Sequence, residues 1–160
     1  MGVRRTRKGI FRFIRHIAIP LLFIGFPCFI FTSMSFGQVQ TQLKVIRASS
    51  LGQEVDPSLK ELHNELKTLF SFTSYRLLKE ENLTLTLNQP VSITAREGRI
   101  VWEATLVGLH RGVAEVRIRV SREGKETLNT QVRLFPGRTV LVGGPRIQDG
   151  VIIYALHSHF

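Results

Sequence analysis

The most site-like cluster in the sequence is His157-Ser158-His159. Side chains two residues apart on an extended strand point to the same face, so the two imidazoles could share a metal ion such as Zn²⁺. Structural zinc takes four ligands, and only these two are visible in the pattern. The sequence therefore predicts a polar strand end, with His157 and His159 as the candidate ligands if a metal binds, and we expect no cofactor.

Hydrolytic chemistry would need a nucleophile, a base and a third group that orients the base. The sequence has Ser, His and acidic residues but no G-x-S-x-G nucleophile elbow. Glu80 and Glu81 are adjacent on a predicted strand, so they point to opposite faces and do not form an acid/base pair. Because catalytic triads are assembled in space, a hydrolase with a dispersed active site stays open as an alternative. The leading interpretation is a protein that is not an enzyme.

Three arginines form the main candidate binding patch: Arg117 and Arg119 on one face of a predicted strand, and Arg133 on the next strand. Guanidinium groups bind phosphate and carboxylate bidentately, so this patch could bind an anionic lipid, a cell-wall polymer or an acidic partner. Acidic residues are interleaved with the arginines: Glu103, Glu115, Glu123 and Glu126. A solvated face with cross-strand ion pairs is the competing interpretation.

The charge of the chain is unevenly distributed. The formal net charge is +10, from 22 Lys and Arg against 12 Asp and Glu. Six basic residues and no acid lie in residues 1–37, which leaves 16 basic against 12 acidic residues, or +4, in the remainder. A charge of this size does not indicate nucleic-acid binding.

The first 37 residues have the order of an export signal. A basic stretch over residues 4–15 precedes an apolar run, Ile17 to Phe31, and then Ser35-Phe36-Gly37 with small residues at its first and third positions. This pattern predicts cleavage between Gly37 and Gln38 and a periplasmic or other extracytoplasmic location. Alternatively, residues 17–34 stay as an inner-membrane anchor, with the basic flank in the cytoplasm. The only cysteine, Cys28, lies in the apolar run, so residues 38–160 cannot form an internal disulfide.

One amphipathic helix is predicted, over about residues 57–70. Asp56 can cap the first free amides, and Pro57 suits the first helical position. The apolar stripe at helical spacing consists of Leu59, Leu62, Leu66, Leu69 and Phe70. We expect this stripe to pack on a sheet.

The rest of residues 38–160 alternates with a period of two, which is typical of strands. Predicted strands cover 38–48, 72–79, 83–87, 91–93, 100–109, 113–120, 127–135, 139–142 and 151–156. Residues 143–150, from Gly143-Gly144-Pro145 through Asp149-Gly150, are predicted to form a hairpin loop in which Gly143-Gly144 requires positive φ. The expected fold is mainly β (α+β): one exported domain, residues 38–160, built as an antiparallel β-sandwich or partly closed barrel with one helix.

A local resemblance narrows the functional interpretation. Phe135-Pro136-Gly137-Arg138-Thr139-Val140-Leu141-Val142-Gly143-Gly144 and Asp149-Gly150-Val151-Ile152-Ile153 resemble the strand-and-turn signature near the end of bacterial secretins. Secretins are much longer outer-membrane multimers, so the resemblance implies at most an accessory of a secretion or pilus system. The composite pattern of the whole chain is also similar to small exported bacterial proteins.

These observations predict a non-enzymatic cell-envelope protein that acts as a binding or assembly module. Its expected partner is another envelope protein, and strand edges could pair with that chain. The second hypothesis is binding of an anionic polymer or lipid through Arg117, Arg119 and Arg133.

Overall fold

The computed structural model describes residues 37–95 and 99–160. The predicted signal or anchor segment, up to residue 36, lies outside the described residues. The strands are β1 (Gln38–Ser49), β2 (Ser74–Thr86), β3 (Pro90–Ala95), β4 (Ile100–His110), β5 (Val113–Arg122), β6 (Lys125–Leu134), β7 (Thr139–Ile147) and β8 (Gly150–Ser158). A 3₁₀ turn (Pro57–Leu59) and helix α1 (His63–Leu69) lie between β1 and β2.

Two antiparallel four-stranded sheets enclose the main core. Sheet A has the order β2-β1-β8-β7, and sheet B has the order β3-β4-β5-β6. Apolar side chains from both sheets form one buried cluster, in which Trp102 of β4 lies 6.2 Å from Tyr154 of β8 between ring centroids. The predicted antiparallel fold is thus confirmed, in its sandwich form and without a closed barrel in the described residues.

The helical segment forms a third layer on the outer face of sheet A. Leu59 and Leu66 are fully buried there against Ile46, Ala48 and Ile153. The Tyr75 hydroxyl lies 2.7 Å from the Phe70 carbonyl oxygen and so supplies a donor to the end of α1, where carbonyls have no helical partner. This contact fixes the helix on the sheet.

The single helix predicted over 57–70 is wrong in one respect. Asp56 does accept a hydrogen bond from the Ser58 amide as predicted, but the first helical piece is a 3₁₀ turn. α1 restarts at His63 after a turn, with no side-chain cap at Leu62. A 3₁₀ turn has three residues per turn, fewer than an α-helix, so the side chains that follow it point in other directions than a continuous α-helix would give. Leu69 therefore leaves the predicted stripe and is 65% exposed.

The loop predicted over 143–150 is wrong for Gly143-Gly144-Pro145, because these residues lie within β7, and only residues 148–149 form a turn between β7 and β8. Neither glycine has positive φ. A Cβ on Gly144 would lie 2.5 Å from Cε2 of Tyr154, so glycine is required here for the close approach of that ring. The strands predicted at 72–79 and 83–87 are a single strand, β2, whose pairing with β1 shifts opposite Val45 and Ile46.

Candidate functional site

The strand order exposes four sheet edges: β2 and β7 in sheet A, and β3 and β6 in sheet B. An edge strand presents unpaired backbone N–H and C=O groups, which can template pairing with another chain. Proteins that stay monomeric block such edges with bulges, prolines, charges or covering loops. Which edges carry a block therefore indicates where a partner strand could bind.

Both edges of sheet A carry such blocks. The segment before the 3₁₀ turn runs beside β2, where the Tyr75 amide donates to the Glu54 carbonyl and the Asp56 amide donates to the Tyr75 carbonyl, each at 2.9 Å. Farther along, β2 presents a Lys79–Glu81 ion pair at 2.6 Å. On the other edge, pairing of β7 is irregular between Gly143 and Arg146, and Pro145 has no backbone N–H to offer.

The two edges of sheet B differ from each other. β3 has six residues and begins at Pro90. β6 has ten residues, and its pairing with β5 skips Thr127 before it continues in regular register from Leu128 to Leu134. This stretch has no proline, and its one formal charge is Arg133. Among the described residues, no strand pairs with the outer side of β6. We call residues 128–134 the open edge.

Burial changes sharply from β5 to the open edge. Val116, Ile118 and Val120 of β5 are 0% exposed, whereas their cross-strand partners on β6 are only partly buried. These partners, Val132, Thr130 and Leu128, face the core but have no neighbouring strand on the outer side. An added strand would therefore bury apolar surface of Leu128 and Val132 in addition to pairing backbone groups.

The predicted arginine patch is assembled on the outer face of sheet B, next to the open edge. Arg119 lies 3.8 Å from Glu103 and 3.9 Å from Glu126, and Arg133 lies 3.2 Å from Glu115. These are exposed cross-strand ion pairs, which contribute about 0–1 kcal/mol each. They compensate the charge of two of the three arginines, as the solvated-face interpretation expects.

Arg117 differs from the other two, because it makes no hydrogen bond or ion pair with the described residues. Its cross-strand neighbours are the uncharged Thr105 and Gln131. Because Arg119 and Arg133 are paired with carboxylates, the patch has a net positive charge at Arg117 alone among its three arginines. Binding of an anionic polymer or lipid by Arg117, Arg119 and Arg133 stays a prediction, with steep salt dependence as its signature.

The predicted histidine pair is brought together on the outer face of sheet A. The rings of His157 and His159 are 4.5 Å apart between centroids, and Nδ1 of His157 lies 3.0 Å from the Thr139 hydroxyl oxygen. In the described part of the chain, no group of three His, Cys, Asp or Glu residues has the geometry to hold a metal ion. The two histidines line a groove together with Gln42 and Lys44 of β1. Most of its lining side chains are polar, and it lies beside the helical layer.

A cleft with a volume of about 520 Å³ lies near the other end of β1 from the histidine groove, beside Arg47 and Ser49. Arg47 and Arg76 are cross-strand partners in its wall, and Arg47 also pairs with Asp149 at 3.0 Å. Asp56 lines the cleft too, but it is already bound to Ser58, and these hydrogen bonds lower the pKa of its carboxyl group. The Asp56 carboxylate therefore has a structural role as the cap of the 3₁₀ turn.

The predicted cleavage site lies at the start of the fold. Gly37 directly precedes β1, which begins at Gln38. A Cβ on Gly37 would lie 2.9 Å from Cδ2 of Leu109, so the residue is packed against the domain. Cleavage between Gly37 and Gln38 would leave strands β1 to β8 of the described residues intact.

No protein-family model, curated protein or solved structure matches this chain. Across residues 37–95 and 99–160, no helix combines the length and hydrophobicity needed to span a bilayer.

The sequence does not reveal the open edge as a site. Alternation identifies β6 as a strand, but its position at the end of sheet B depends on where the chain passes from one sheet to the other. The available signal was the absence of proline and acidic residues from 128–134, and this becomes informative only when the edge position is known.

Proposed function

We propose that this protein is an exported, non-enzymatic module of the cell envelope that assembles with a partner by strand addition at the open edge. The observation that carries the proposal is the contrast among the four edges. Three have blocks, whereas residues 128–134 of β6 present a regular and nearly uncharged strand. In strand addition, backbone hydrogen bonds supply affinity and alternate side chains supply specificity.

Export rests on the order of the basic stretch, the apolar run and the small residues before Gln38. The fold is compatible with either fate of this segment. Cleavage at Gly37 would release a complete sandwich, and retention of residues 17–34 would hold the same sandwich at the inner membrane. In both cases the open edge is available on the far side of the membrane.

The short secretin-like stretch, residues 135–153, supports a secretion or pilus system as the setting. It starts at the residue after β6 and contains β7 and the turn into β8. Envelope machines of this kind are built from many chains, so an accessory with an open strand edge suits such an assembly.

A lysine on the open edge tests the proposal. Inward-pointing charges are a natural means of blocking an edge. We expect Val132→Lys to reduce recovery of partners with the full-length chain, after crosslinking in its native cells, by about tenfold or more, which corresponds to a loss of about 1.4 kcal/mol.

Val140→Lys on β7 is the matched control. Val140 is also a partly buried valine on an edge strand and packs against the same core cluster. Both variants remove similar apolar burial, so both should lower stability by about 1 kcal/mol. Equal partner recovery for the two variants would contradict the proposal, as would turnover of a substrate that disappears when one polar residue is replaced by alanine.

A further inference from the structure

We propose that the occupant of the open edge is a second copy of this chain, paired antiparallel through β6 about a two-fold axis at Gln131. This inference rests on the proposed function, because it names the partner that β6 binds. The two copies would join their B sheets into one continuous eight-stranded sheet. A closed two-fold contact uses the same edge on both subunits and leaves no free β6 edge for further growth.

The register follows from the length of the regular stretch. In an antiparallel pair, opposite residues share a face, so inward residues must meet inward residues. The regular pairing of β6 runs from Leu128 to Leu134, and its midpoint is Gln131. A two-fold axis there uses all seven residues. Registers centred elsewhere would pair fewer of these seven residues with one another.

The side chains are complementary in this register. On the inner face, Leu128 would lie opposite Leu134 of the second copy, and Thr130 would lie opposite Val132. Leu134 is already fully buried in its own sandwich, so the apolar surface that the second copy would newly bury comes from the partly buried Leu128 and Val132.

The charges are also compatible with self-pairing. Arg133, the only charged residue of the stretch, would lie opposite Asn129 of the second copy and so would not face another arginine. It already pairs with Glu115 of its own chain at 3.2 Å. Gln131 would lie opposite itself, and paired amides can donate and accept across the axis. Like charges directly opposite would destabilise the pair, and this register has none.

Cysteine crosslinking in the full-length chain tests both partner and register. Cys28 is the only native cysteine, so Cys28→Ser gives a thiol-free background. Opposed residues of an antiparallel pair have Cα atoms about 4.5–5.5 Å apart, within disulfide range. We expect Gln131→Cys to give a disulfide-linked dimer as the major species after mild oxidation of intact cells. Ser92→Cys, on the exposed face of β3 at the other edge of sheet B, should stay monomeric.

A mixed pair fixes the register. Chains with Asn129→Cys and chains with Arg133→Cys should crosslink when they are expressed together, and neither should crosslink efficiently when expressed alone. Adding Val132→Lys to Gln131→Cys should abolish the dimer. The emission of Trp102, buried in the core, reports whether each variant is folded.

The outcomes separate this inference from the proposed function. A folded Gln131→Cys chain that stays monomeric would overturn self-pairing. If Val132→Lys then still reduced capture of a different protein, strand addition would stand with another partner. If Val132→Lys changed neither capture nor dimer formation, both proposals would fall.

Discussion

Replacing Gly150 by alanine is expected to unfold the sandwich or to destabilise it by about 3–5 kcal/mol, at the upper end of single-residue effects. Gly150 opens β8 and pairs with Ser49 at the end of β1. A Cβ at this position would overlap the carbonyl oxygen of Ala48 and would lie 2.8 Å from its carbonyl carbon. Both are backbone atoms, so no side-chain rotation can relieve the overlap. The two central strands of sheet A would have to separate.

Gly143→Ala is the matched control for this prediction. It is also a glycine of the β7–β8 hairpin without positive φ, and its Cβ would meet only Cε1 of Phe70, at 3.4 Å. We expect its free energy of unfolding in urea to stay within about 1 kcal/mol of the native value. A Gly150→Ala chain with a native unfolding midpoint would show that β1 and β8 do not approach as described.

Alkaline pH is expected to unfold the protein through its two tyrosines, Tyr75 and Tyr154. Both are buried, at 1% and 0% exposure, and burial raises the pKa of each phenol above its ordinary value. The folded state therefore favours the neutral form. This contribution to stability is complete below the unfolded pKa of about 10 and is lost as the pH rises from there through the raised pKa values.

Absorbance of phenolate near 295 nm measures this effect. The folded chain should show no tyrosine ionisation near pH 10, and both phenols should ionise together with unfolding at higher pH. Tyr154→Phe serves as a second readout, because the buried hydroxyl of Tyr154 has no hydrogen-bond partner in the described residues. Its removal should move the alkaline midpoint upward without weakening the ring contact with Trp102. Ionisation of both phenols near pH 10 in a folded chain would contradict the burial of these side chains.

Local patterns were sufficient to predict most of the elements. The Asp56-Pro57 cap was predicted because its chemistry acts between neighbouring residues. Strands β5 and β6 were predicted over 113–120 and 127–135 because apolar and polar residues alternate there with a period of two. The face shared by Arg117, Arg119 and Arg133 followed from the same period of two.

The errors arose where distant residues or an irregular helical turn decide the structure. Position 144 requires glycine because the Tyr154 ring occupies the space that a Cβ would need, and no local pattern reveals that neighbour. Leu69 is exposed because a 3₁₀ turn replaces the first helical turn and shifts the later positions. Recognising the open edge requires the order of the strands in each sheet. That order depends on where the chain crosses from one sheet to the other, after β2 and after β6.

Hydrogen–deuterium exchange of β6 in the full-length chain, isolated in mild detergent with whatever binds it, is the most direct test of the central claim. Strand addition should protect those backbone amides of residues 128–134 that point away from β5, so these amides should exchange about tenfold or more slowly in the native chain than in Val132→Lys. The amides of β7 should exchange alike in the two proteins. Equally fast exchange of β6 in both would show that no strand occupies the open edge and would contradict the account.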